Sequence, residues 1–536
     1  MNWWHIRLKI SFTASIIVST VILHGVPEAI ILGFQHYLVM LGTTVIISTT
    51  VVPLMGGGNV EKAQVVQSLL FASGMNTLLQ TFFGTRLPVV IGGSFRFILP
   101  ALTVAFSNRY SIYINPRDRF HRTMRGIQGA LLIASLLPAI LGFLGIWRIV
   151  VRFLSPLSAV PLVTLVGLGL YQQGFPLLAQ CVEVGLPELI ILILLSQYIP
   201  HVWKSSRFDR YAILFSVALV WAYASLLTAA GAYKNKSPST QFSCRVDRSG
   251  LIGGASWIRF PYPFQWGRPT VNASDVLIMS AAAFVALVES TGTFIAASRY
   301  GSATPAPPSV LSRGAAWLGV AMFLDGLWGT ASGSTASVSF GFDKSWKPES
   351  GSNFSYIHVA LFCSRYVGAL DVPNIELVFQ HLNIGKFGAV VASIPLPIFG
   401  AIYCVLFGYM SSAGLGLLQF CNLNSYRTKF ILGISLFMGL SVPQYFNNYV
   451  VTTGRGPVNT PSFWFNNMLL VVFTSPATVA FIIALFLDST LGRNHSSTRK
   501  DSGRHWWGKF RHFDDDPRSA EFYSLPYGLS KYFPSI

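Results

Sequence analysis

Charged side chains are scarce in this sequence of 536 residues: Asp, Glu, Lys and Arg make up 11% of it, against 52% hydrophobic residues. A soluble globular protein has about 25% charged residues. So few charges cannot cover a water-facing surface, which excludes a soluble protein and predicts a polytopic membrane protein in a lipid bilayer. The net charge of +18 lies in short loops and the C-terminal tail. A basic face with interleaved aromatic residues is lacking, so we expect no nucleic-acid partner.

The sequence also lacks recognisable cysteine motifs and catalytic motifs. The five cysteines, Cys181, Cys244, Cys363, Cys404 and Cys421, show neither C-x-x-C nor metal-ligand spacing, and their odd number argues against a disulfide framework. We expect most of them to pack as small hydrophobic residues. The sequence contains no phosphate loop, no metalloprotease helix and no recognisable Ser/His/Asp arrangement. It therefore predicts neither an enzyme nor a metal or organic cofactor.

Long apolar runs are abundant instead. About 20 apolar residues are enough to span a bilayer as a helix. The candidate spans are 29–52, 64–83, 89–106, 126–145, 154–174, 186–203, 211–231, 275–297, 311–329, 386–413, 427–446 and 464–488. The run 386–413 contains "SIPLPIFG", whose two prolines predict two spans joined by a tight break.

The basic loops predict an orientation. With the N-terminus in the cytoplasm, loops 147–152, 201–210, 298–313 and 424–429 lie inside, as does the tail from Arg493, in agreement with the positive-inside rule. Two segments then lie outside. Loop 107–125 contradicts the rule because it carries five arginines, and 232–274 is a long polar loop. The aromatic and basic tail 493–536 is predicted to extend into the cytoplasm and to touch anionic lipid.

The N-terminal residues 1–25 leave alternatives open. They combine an early basic pair with an apolar core, which suits a signal peptide, but a clear cleavage motif is lacking. The alternatives, an additional span or an interfacial helix, are favoured by the missing cleavage motif.

Two segments look like interrupted membrane spans. Residues 88–100 read "PVVIGGSFRFILP", and residues 329–338 read "GTASGSTASV". Interrupted segments in corresponding positions of two halves are typical of a transporter site between structural repeats. Non-helical backbone at membrane depth is tolerated only where it faces protein or a watery cavity.

Glu289 is the sharpest candidate residue, as the only carboxylate in "SAAAFVALVESTGTFIAA". An acid inside the membrane is costly unless it is paired, protonated or lining a cavity. The functional interpretation is a hydrogen-bond acceptor for substrate that also couples a proton. The alternative is a polar contact between packed helices.

Polar residues elsewhere are weaker candidates. Gln35 and His36 either orient or gate the site, or form a polar pair satisfied within the bundle. At the first broken segment, free backbone N–H groups of Ser94 and Phe95 beside the phenyl face would suit a flat heterocycle. The alternative there is a Gly-Gly turn with the phenyl ring as packing. Arg96 either snorkels or lines the cavity.

Several stretches resemble one family, the plant nucleobase–ascorbate transporters (nucleobase:cation symporter-2, or xanthine/uracil permeases). The similarity covers about 26–338 and 385–536. It is carried by "ILGFQHYLVMLGTTVII", "MGGGNVEKAQVVQSLLFASGMNTLLQTFFGTRLPVVIGGSF", "RFLSPLSAVPLVTLVGLGLY", "YPFQWG", "FVALVESTGTFIAASRY", "GKFGAVVASIPLPIFGAIYCVLFG", "LQFCNLNSYRTKFILGISLFMGLSVPQYF" and "EFYSLPYGLSKYFPS".

The resemblance implies an all-α polytopic fold of two inverted seven-segment repeats, with two short broken-strand segments. A core domain (segments 1–4 and 8–11) would move against a gate domain (segments 5–7 and 12–14). The resulting division is 1–25 as an atypical N-terminal segment, 26–231 as the first repeat, 232–274 as the outside loop, 275–492 as the second repeat and 493–536 as the tail.

The resemblance also implies a function. It predicts a homodimer, most simply in the plasma membrane, that takes up purines or uracil with a proton as the coupling ion and no other cofactor. Carried over residue by residue, Glu289 would hydrogen-bond the base, and Ser94 and Phe95 would contact it. Gln35 and His36 would be the polar pair of the core.

One stretch departs from the family pattern. After Val338 the family continues with an acid or Gln followed by Asn-x-Gly, whereas this chain reads "SFGFDKSWKPES". The pattern resumes at Gly385, so 339–384 looks like an aberrant insert that replaces the signature and disrupts segments 10 and 11. The abrupt edges resemble a retained intron or a mispredicted exon, so the alternative is a gene-model product or a transport-inactive isoform that lacks the signature and acts as a dominant-negative dimer partner. A membrane enzyme or receptor is a further alternative with less support.

Overall fold

A computed structural model describes residues 31, 33–87, 89–202, 211–248, 261–300, 304–337, 393–491, 500–510, 523, 525 and 533. The N-terminal segment 1–25 and the stretch 339–384 lie outside the described residues, and so does Cys363. The predictions made for those parts of the chain stay predictions.

Helices dominate the described chain, with two short strands among them. In chain order they are α1 Gly33–Met55, α2 Asn59–Phe82, β1 Val90–Gly93, α3 Ile98–Ala105, α4 Asn108–Ser111, α5 Pro116–Ala134, α6 Leu136–Phe143, α7 Ile146–Phe153, α8 Pro156–Leu168, α9 Phe175–Leu178, α10 Val182–Ile193, α11 Ile199–Val202, α12 Ala212–Ala229, α13 Pro238–Cys244, α14 Ala273–Tyr300, α15 Pro308–Trp328, β2 Ser334–Ser337, α16 Leu396–Leu415, α17 Tyr426–Thr453, α18 Phe463–Phe473, α19 Pro476–Thr490 and α20 Arg504–Trp507.

Within the described ranges, eight helical stretches are long and apolar enough to cross a membrane, or nine if a bent pair counts as one span. The prediction of an all-α polytopic membrane protein is thereby confirmed, whereas the two inverted seven-segment repeats stay a prediction. The bent pair is α18 and α19, which meet at 82°. The apolar run 464–488 is therefore a broken segment, because the sequence reaches Ser475 and Pro476 before the first helix is long enough to span.

The second broken segment predicted from the sequence pairs with the first. Strands β1 and β2 run antiparallel, with Val90 opposite Ser337 and Gly93 opposite Ser334. The run 89–106 is consequently a strand followed by the short helix α3. A Cβ at Gly92 would lie 1.9 Å from Cε of Met40, so a larger residue here would require the Met40 side chain on α1 to move. Pairing satisfies the backbone groups that a broken helix leaves open.

Small residues also bring α15, which leads into β2, against α6. A Cβ at Gly319 would lie 2.4 Å from the backbone nitrogen of Ala139, and one at Gly142 would lie 2.2 Å from that of Ala316. Close backbone approach at small residues is how helices associate where the hydrophobic effect is weak. The contact fixes α15 and thereby the entry to β2.

The arginines of loop 107–125, which contradict the positive-inside rule, all have local partners. The contacts are Arg109 with Asp275, Arg117 with Glu61, Arg119 with the Met55 carbonyl, Arg125 with the Trp266 carbonyl, and Arg122 over the Tyr113 ring. The positive charge is thus compensated at one rim of the bundle, where residues 261–275 also lie. A residue count over a loop cannot detect this compensation.

The disulfide between Cys181 and Cys244 contradicts the prediction made from the odd cysteine count. The two Cα atoms lie 5.4 Å apart, and the bond ties α13, inside the predicted outside loop, to the start of α10. Among the described cysteines, Cys404 and Cys421 are free. The argument from the odd number failed because it considers all five cysteines together. Disulfide pairing depends on which two cysteines lie close together in the folded protein. Disulfides persist in oxidising compartments, which fits an outside position.

The tail packs against the protein in its described part, where the sequence predicted a lipid contact. Arg504 and Arg427 both bind the Asp488 carboxylate, each at 2.8 Å. Tyr523 is fully buried; its hydroxyl donates to the Thr304 carbonyl at 2.7 Å. Burial raises the pKa of the Tyr523 phenol, which therefore stays protonated as a donor. Tyr523 and Leu525, the two described residues of this stretch, are thus buried in the packed structure.

Candidate functional site

Glu289 lies buried at the middle of α14, where three separate parts of the chain meet. Its Oε1 atom is 2.6 Å from Nε of Arg96, and it accepts a hydrogen bond of 2.9 Å from the Ser475 hydroxyl. Arg96 follows strand β1, and Ser475 lies at the break between α18 and α19. The carboxylate therefore connects the first broken segment to the bent helix pair.

The contact between Arg96 and Glu289 is an ion pair with poor hydrogen-bond alignment. Although Nε lies close to Oε1, its N–H does not point at the oxygen, and Nη2 is buried with no hydrogen-bond partner among the described residues. The exposed fractions of the two side chains are 15% and 9%. A guanidinium has five donors, so this one holds unused bonding capacity in a poorly hydrated place.

The neighbouring residue of α14 holds the other strand. The Ser290 hydroxyl accepts a hydrogen bond of 3.1 Å from the backbone N–H of Ala336, in β2. Helix α14 thus contacts the segment after β1 through Glu289 and β2 through Ser290. Through these contacts the broken segments and the carboxylate form one unit; that this unit is a transporter site stays a prediction.

Ser94 lies in this unit, but its backbone amide is already used. Its N–H donates to the Gly333 carbonyl at 3.1 Å, and its side chain accepts from the Arg96 amide at 3.3 Å. The expectation of a free N–H at Ser94 is therefore wrong, because strand pairing extends one residue beyond β1. Ser94 still offers its side chain to the cluster.

Phe95 occupies the boundary between the two hydrophobic clusters of the protein. Its ring is half-buried and packs against residues of both. The cluster around α14 and α15 fills one side, and the cluster around α10, α12 and α16 fills the other. An aromatic face at such a boundary suits a flat ligand, while the same position also serves packing.

Gln35 and His36 lie on α1 and are not brought into the Glu289 cluster by any contact between described residues. Gln35 is buried, and its Oε1 atom lacks a hydrogen-bond partner in the described part of the chain, as does Nδ1 of His36. The alternative of a pair satisfied inside the bundle is not met by these two atoms. Their role in orienting or gating the site stays a prediction.

Asp325 is a second intramembrane carboxylate, which sequence reasoning missed. It is buried near the end of α15 and accepts a 3.0 Å hydrogen bond from Asn76 on α2, whose amide also reaches the Ser334 hydroxyl at 3.1 Å. A single Asp in the apolar run "VAMFLDGLWG" was the available signal. The arrangement anchors β2 to both helices.

The "YPFQWG" stretch caps the same helix. The Trp266 indole donates to the Gly329 carbonyl at 2.8 Å, and the Gln265 amide contacts the Trp328 carbonyl at 2.5 Å. Gly329 has the left-handed backbone (φ +67°) that glycine favours at the end of a helix. The predicted outside loop therefore reaches into the membrane domain and fixes the turn between α15 and β2.

The assembled arrangement offers an acceptor and a donor to one ligand. Glu289 can accept hydrogen bonds, Arg96 can donate them, and the aromatic Phe95 directly precedes Arg96 in the chain. Ser475 connects the cluster to the bent helix pair, so a ligand that changes the Glu289 contacts changes a contact between separate elements.

Comparison with known proteins agrees with this architecture. A model of the "Permease family" matches residues 27–365 and 377–448. The chain is 57% identical over 514 residues to nucleobase-ascorbate transporter 4 of Arabidopsis thaliana, covering 95% of this chain and 94% of that protein. It is 54% identical over 509 residues to nucleobase-ascorbate transporter LPE1 of Zea mays, with coverage of 95% and 94%.

The match to the family model extends into the stretch after Val338. It continues through residue 365 and resumes at 377, although the signature expected after Val338 is not in the sequence. The relatives carry transporter names, in agreement with the prediction that the chain is not an enzyme. The chain belongs to the permease family of the plant nucleobase–ascorbate transporters and is an integral, multi-pass membrane transporter.

Proposed function

We propose that the protein carries nucleobases (purines such as xanthine, uric acid, adenine and guanine, or uracil) by proton-coupled symport through alternating access. The observation that carries the proposal is the meeting of Glu289 and Arg96 with the paired strands. A buried acceptor and donor, with the half-buried Phe95 directly before Arg96 in the chain, match a flat molecule with hydrogen-bonding edges.

Residue roles follow from this arrangement. Glu289 would accept a ring N–H of the base and exchange the coupling proton, while Ser94 and Phe95 would contact the base by hydrogen bond and stacking. Gln35 and His36 would act as polar groups of the core. No metal or organic cofactor is required, because the proton serves as the coupling ion.

The test is uptake of labelled bases by cells that lack their own nucleobase uptake. Saturable uptake that an uncoupler suppresses is the expected result for the wild-type chain. Glu289→Gln should abolish it, whereas the control Asp275→Asn, on the same helix, should retain it at equal surface abundance. Wild-type cells that take up no base above background would contradict the proposal.

A homodimer in the plasma membrane completes the proposal. Two differently tagged copies should co-purify in mild detergent, and a fluorescent fusion should outline the cell. Failure to co-purify would remove the homodimer, and retention in internal membranes would remove the location.

A second candidate is a transport-inactive isoform that suppresses intact relatives. It is favoured by the missing signature after Val338. Co-expression with a transporting relative decides between the two: a dose-dependent fall in the relative's uptake favours the isoform, and additive uptake favours the transporter. Sequencing cDNA across codons 325–395 would establish whether the stretch occurs in the message.

A further inference from the structure

A cavity of about 500 Å³ opens at the end of the bundle where the tail packs, and Glu289 is not among the residues that line it. It lies between the ends of α7 and α14, the loop before α15, the turn after α16 and the tail helix α20. These segments belong to, or adjoin, the loops that the positive-inside rule assigns to the cytoplasmic side. A ligand from the cytoplasm or from the inner leaflet can therefore reach the cavity.

Three arginines from separate parts of the chain line this cavity: Arg152 in α7, Arg299 in α14 and Arg504 in α20. Among the described residues that line it, none is Asp or Glu. Guanidinium groups match the oxygen geometry of phosphates and carboxylates and are the usual residues that bind them. The composition of the lining therefore favours an anionic ligand.

Arg299 is held in place by neutral groups. Its guanidinium lies over the Phe420 ring, 5.5 Å from the ring centre. With the Gln419 amide oriented to accept, the amide oxygen lies 2.7 and 2.6 Å from Nη1 and Nη2 of Arg299. Neither partner carries a negative charge, so Arg299 is positioned while its charge stays available to a ligand.

The other two arginines also keep unused capacity. Arg152 is exposed and forms no ion pair within the described ranges. Arg504 binds Asp488 at 2.8 Å, but the same carboxylate also binds Arg427 at 2.8 Å. The Nε atom of Arg504 is buried without a hydrogen-bond partner among the described residues. The three arginines thus present more positive charge than their described neighbours compensate.

We infer that this cavity binds an organic phosphate, with the phosphate group on the three arginines and the rest of the molecule along an apolar wall. That wall consists of Leu154, Ile295, Leu311 and Leu417. A phosphate monoester carries a charge of about −1.5 to −2 and three acceptor oxygens at pH 7, so it serves three arginines better than a carboxylate does.

The volume of the cavity indicates a ligand larger than a free phosphate ion. A volume of about 500 Å³ lies in the range of sites for small organic molecules. Both a lipid headgroup of the inner leaflet and a soluble phosphate ester have the required chemistry. The inference does not depend on which substrate the protein carries, because none of the Glu289 contacts belongs to this cavity.

Two matched pairs of probes test the inference and distinguish the two sources. AMP is compared with adenosine, and dioctanoylphosphatidic acid with dioctanoylglycerol, so that each pair differs in the phosphate group. The measurement is the saturable rise of the unfolding midpoint of the purified full chain in a non-ionic detergent. We expect a phosphate-bearing probe to bind at least about 10-fold more tightly than its phosphate-free partner. A response to AMP indicates a soluble ligand, and a response to the phosphatidic acid indicates a lipid.

Three variants locate the binding. Arg152→Gln changes an exposed side chain without an ion-pair partner in the described chain, so the fold should be kept, while the dissociation constant should rise by about 10-fold. Ala306→Trp fills the cavity without changing its charge and should abolish the response to the phosphate. The control is Arg455→Gln, which removes the same charge from an exposed arginine after α17, outside the cavity, and should leave binding unchanged.

Three results would overturn the inference. Neither phosphate-bearing probe stabilises the wild type, or the stabilisation stays unchanged in Arg152→Gln and Ala306→Trp, or Arg455→Gln weakens it as much as Arg152→Gln does. The last result would show general attraction of anions to a basic protein. Binding is measured without uptake, so the absence of nucleobase uptake would contradict the proposed function and leave this inference standing.

Discussion

Helix α14 carries two arginine–carboxylate pairs that differ in what they leave unused. Asp275, in its first turn, accepts two hydrogen bonds from Nη2 of Arg109, at 2.7 and 2.8 Å. About 20 Å further along the helix, at 1.5 Å per residue, Glu289 contacts Arg96 through one oxygen at 2.6 Å. The residue types are nearly the same, but the surroundings are not.

The difference in exposure explains the difference in role. The Arg109 side chain is 43% exposed, so water completes its hydrogen bonding, and the pair works as a clamp at the rim. Arg96 is 15% exposed and follows a strand that fixes its backbone. A buried pair adds little to stability but is costly to break on one side. The rim pair is thus completed by water, whereas the inner pair leaves donors of Arg96 without a hydrogen-bond partner among the described residues.

Breaking the inner pair from the carboxylate side has the largest expected effect. Glu289→Gln leaves Arg96 charged and without its counter-charge, which should lower the free energy of unfolding by about 3–5 kcal/mol. Adding Arg96→Gln should recover part of the loss, since the charge is then gone. Thermal unfolding of the purified variants measures both; equal losses for the single and the double variant would show that the two residues are not coupled.

A third carboxylate sharpens the comparison because its partner is a neutral amide. Asn76→Ala removes the donor shared by Asp325 and Ser334 and leaves a buried carboxylate oxygen without it, at an expected cost of about 2–3 kcal/mol. The same unfolding measurement checks this. Asn448→Ala, which removes an exposed contact with Gln444, is the control and should change stability by less than about 0.5 kcal/mol.

The hydrogen bond from Ser475 to Glu289 should contribute less to stability than the contacts of Asn76 or the charge of Glu289. Ser475→Ala removes one hydrogen bond to Glu289 while Arg96 remains, so we expect a loss of about 1 kcal/mol. Uptake should fall several-fold at unchanged surface abundance, because the carboxylate loses its contact with the break between α18 and α19. Uptake equal to wild type would show that this contact does not matter for transport.

The rim pair has the smallest expected effect. Asp275→Asn leaves Arg109 largely in water, so the loss should be below about 1 kcal/mol and should shrink further in high salt. Unfolding at low and high ionic strength measures it. A loss as large as that of Glu289→Gln would remove the distinction between the two pairs.

The sequence alone determined the class of the protein and singled out Glu289 as a candidate site residue. A low charge fraction and long apolar runs predict membrane spans because lipid admits few charges. A lone Glu289 in an apolar run stands out for the same reason. The two broken segments were recognisable because Gly and Pro interrupt helices locally.

Tertiary structure decided everything that depends on which distant residues meet. Arg96 became the partner of Glu289, and Ser475 its donor, through folding that joins positions nearly 200 residues apart in the chain. The Ser94 amide turned out to be used because β1 pairs with β2. The disulfide of Cys181 with Cys244 escaped a count of cysteines for the same reason. A local sequence pattern shows how costly a charge is in the membrane and where a helix is interrupted. Contacts between remote segments arise only when the helices pack.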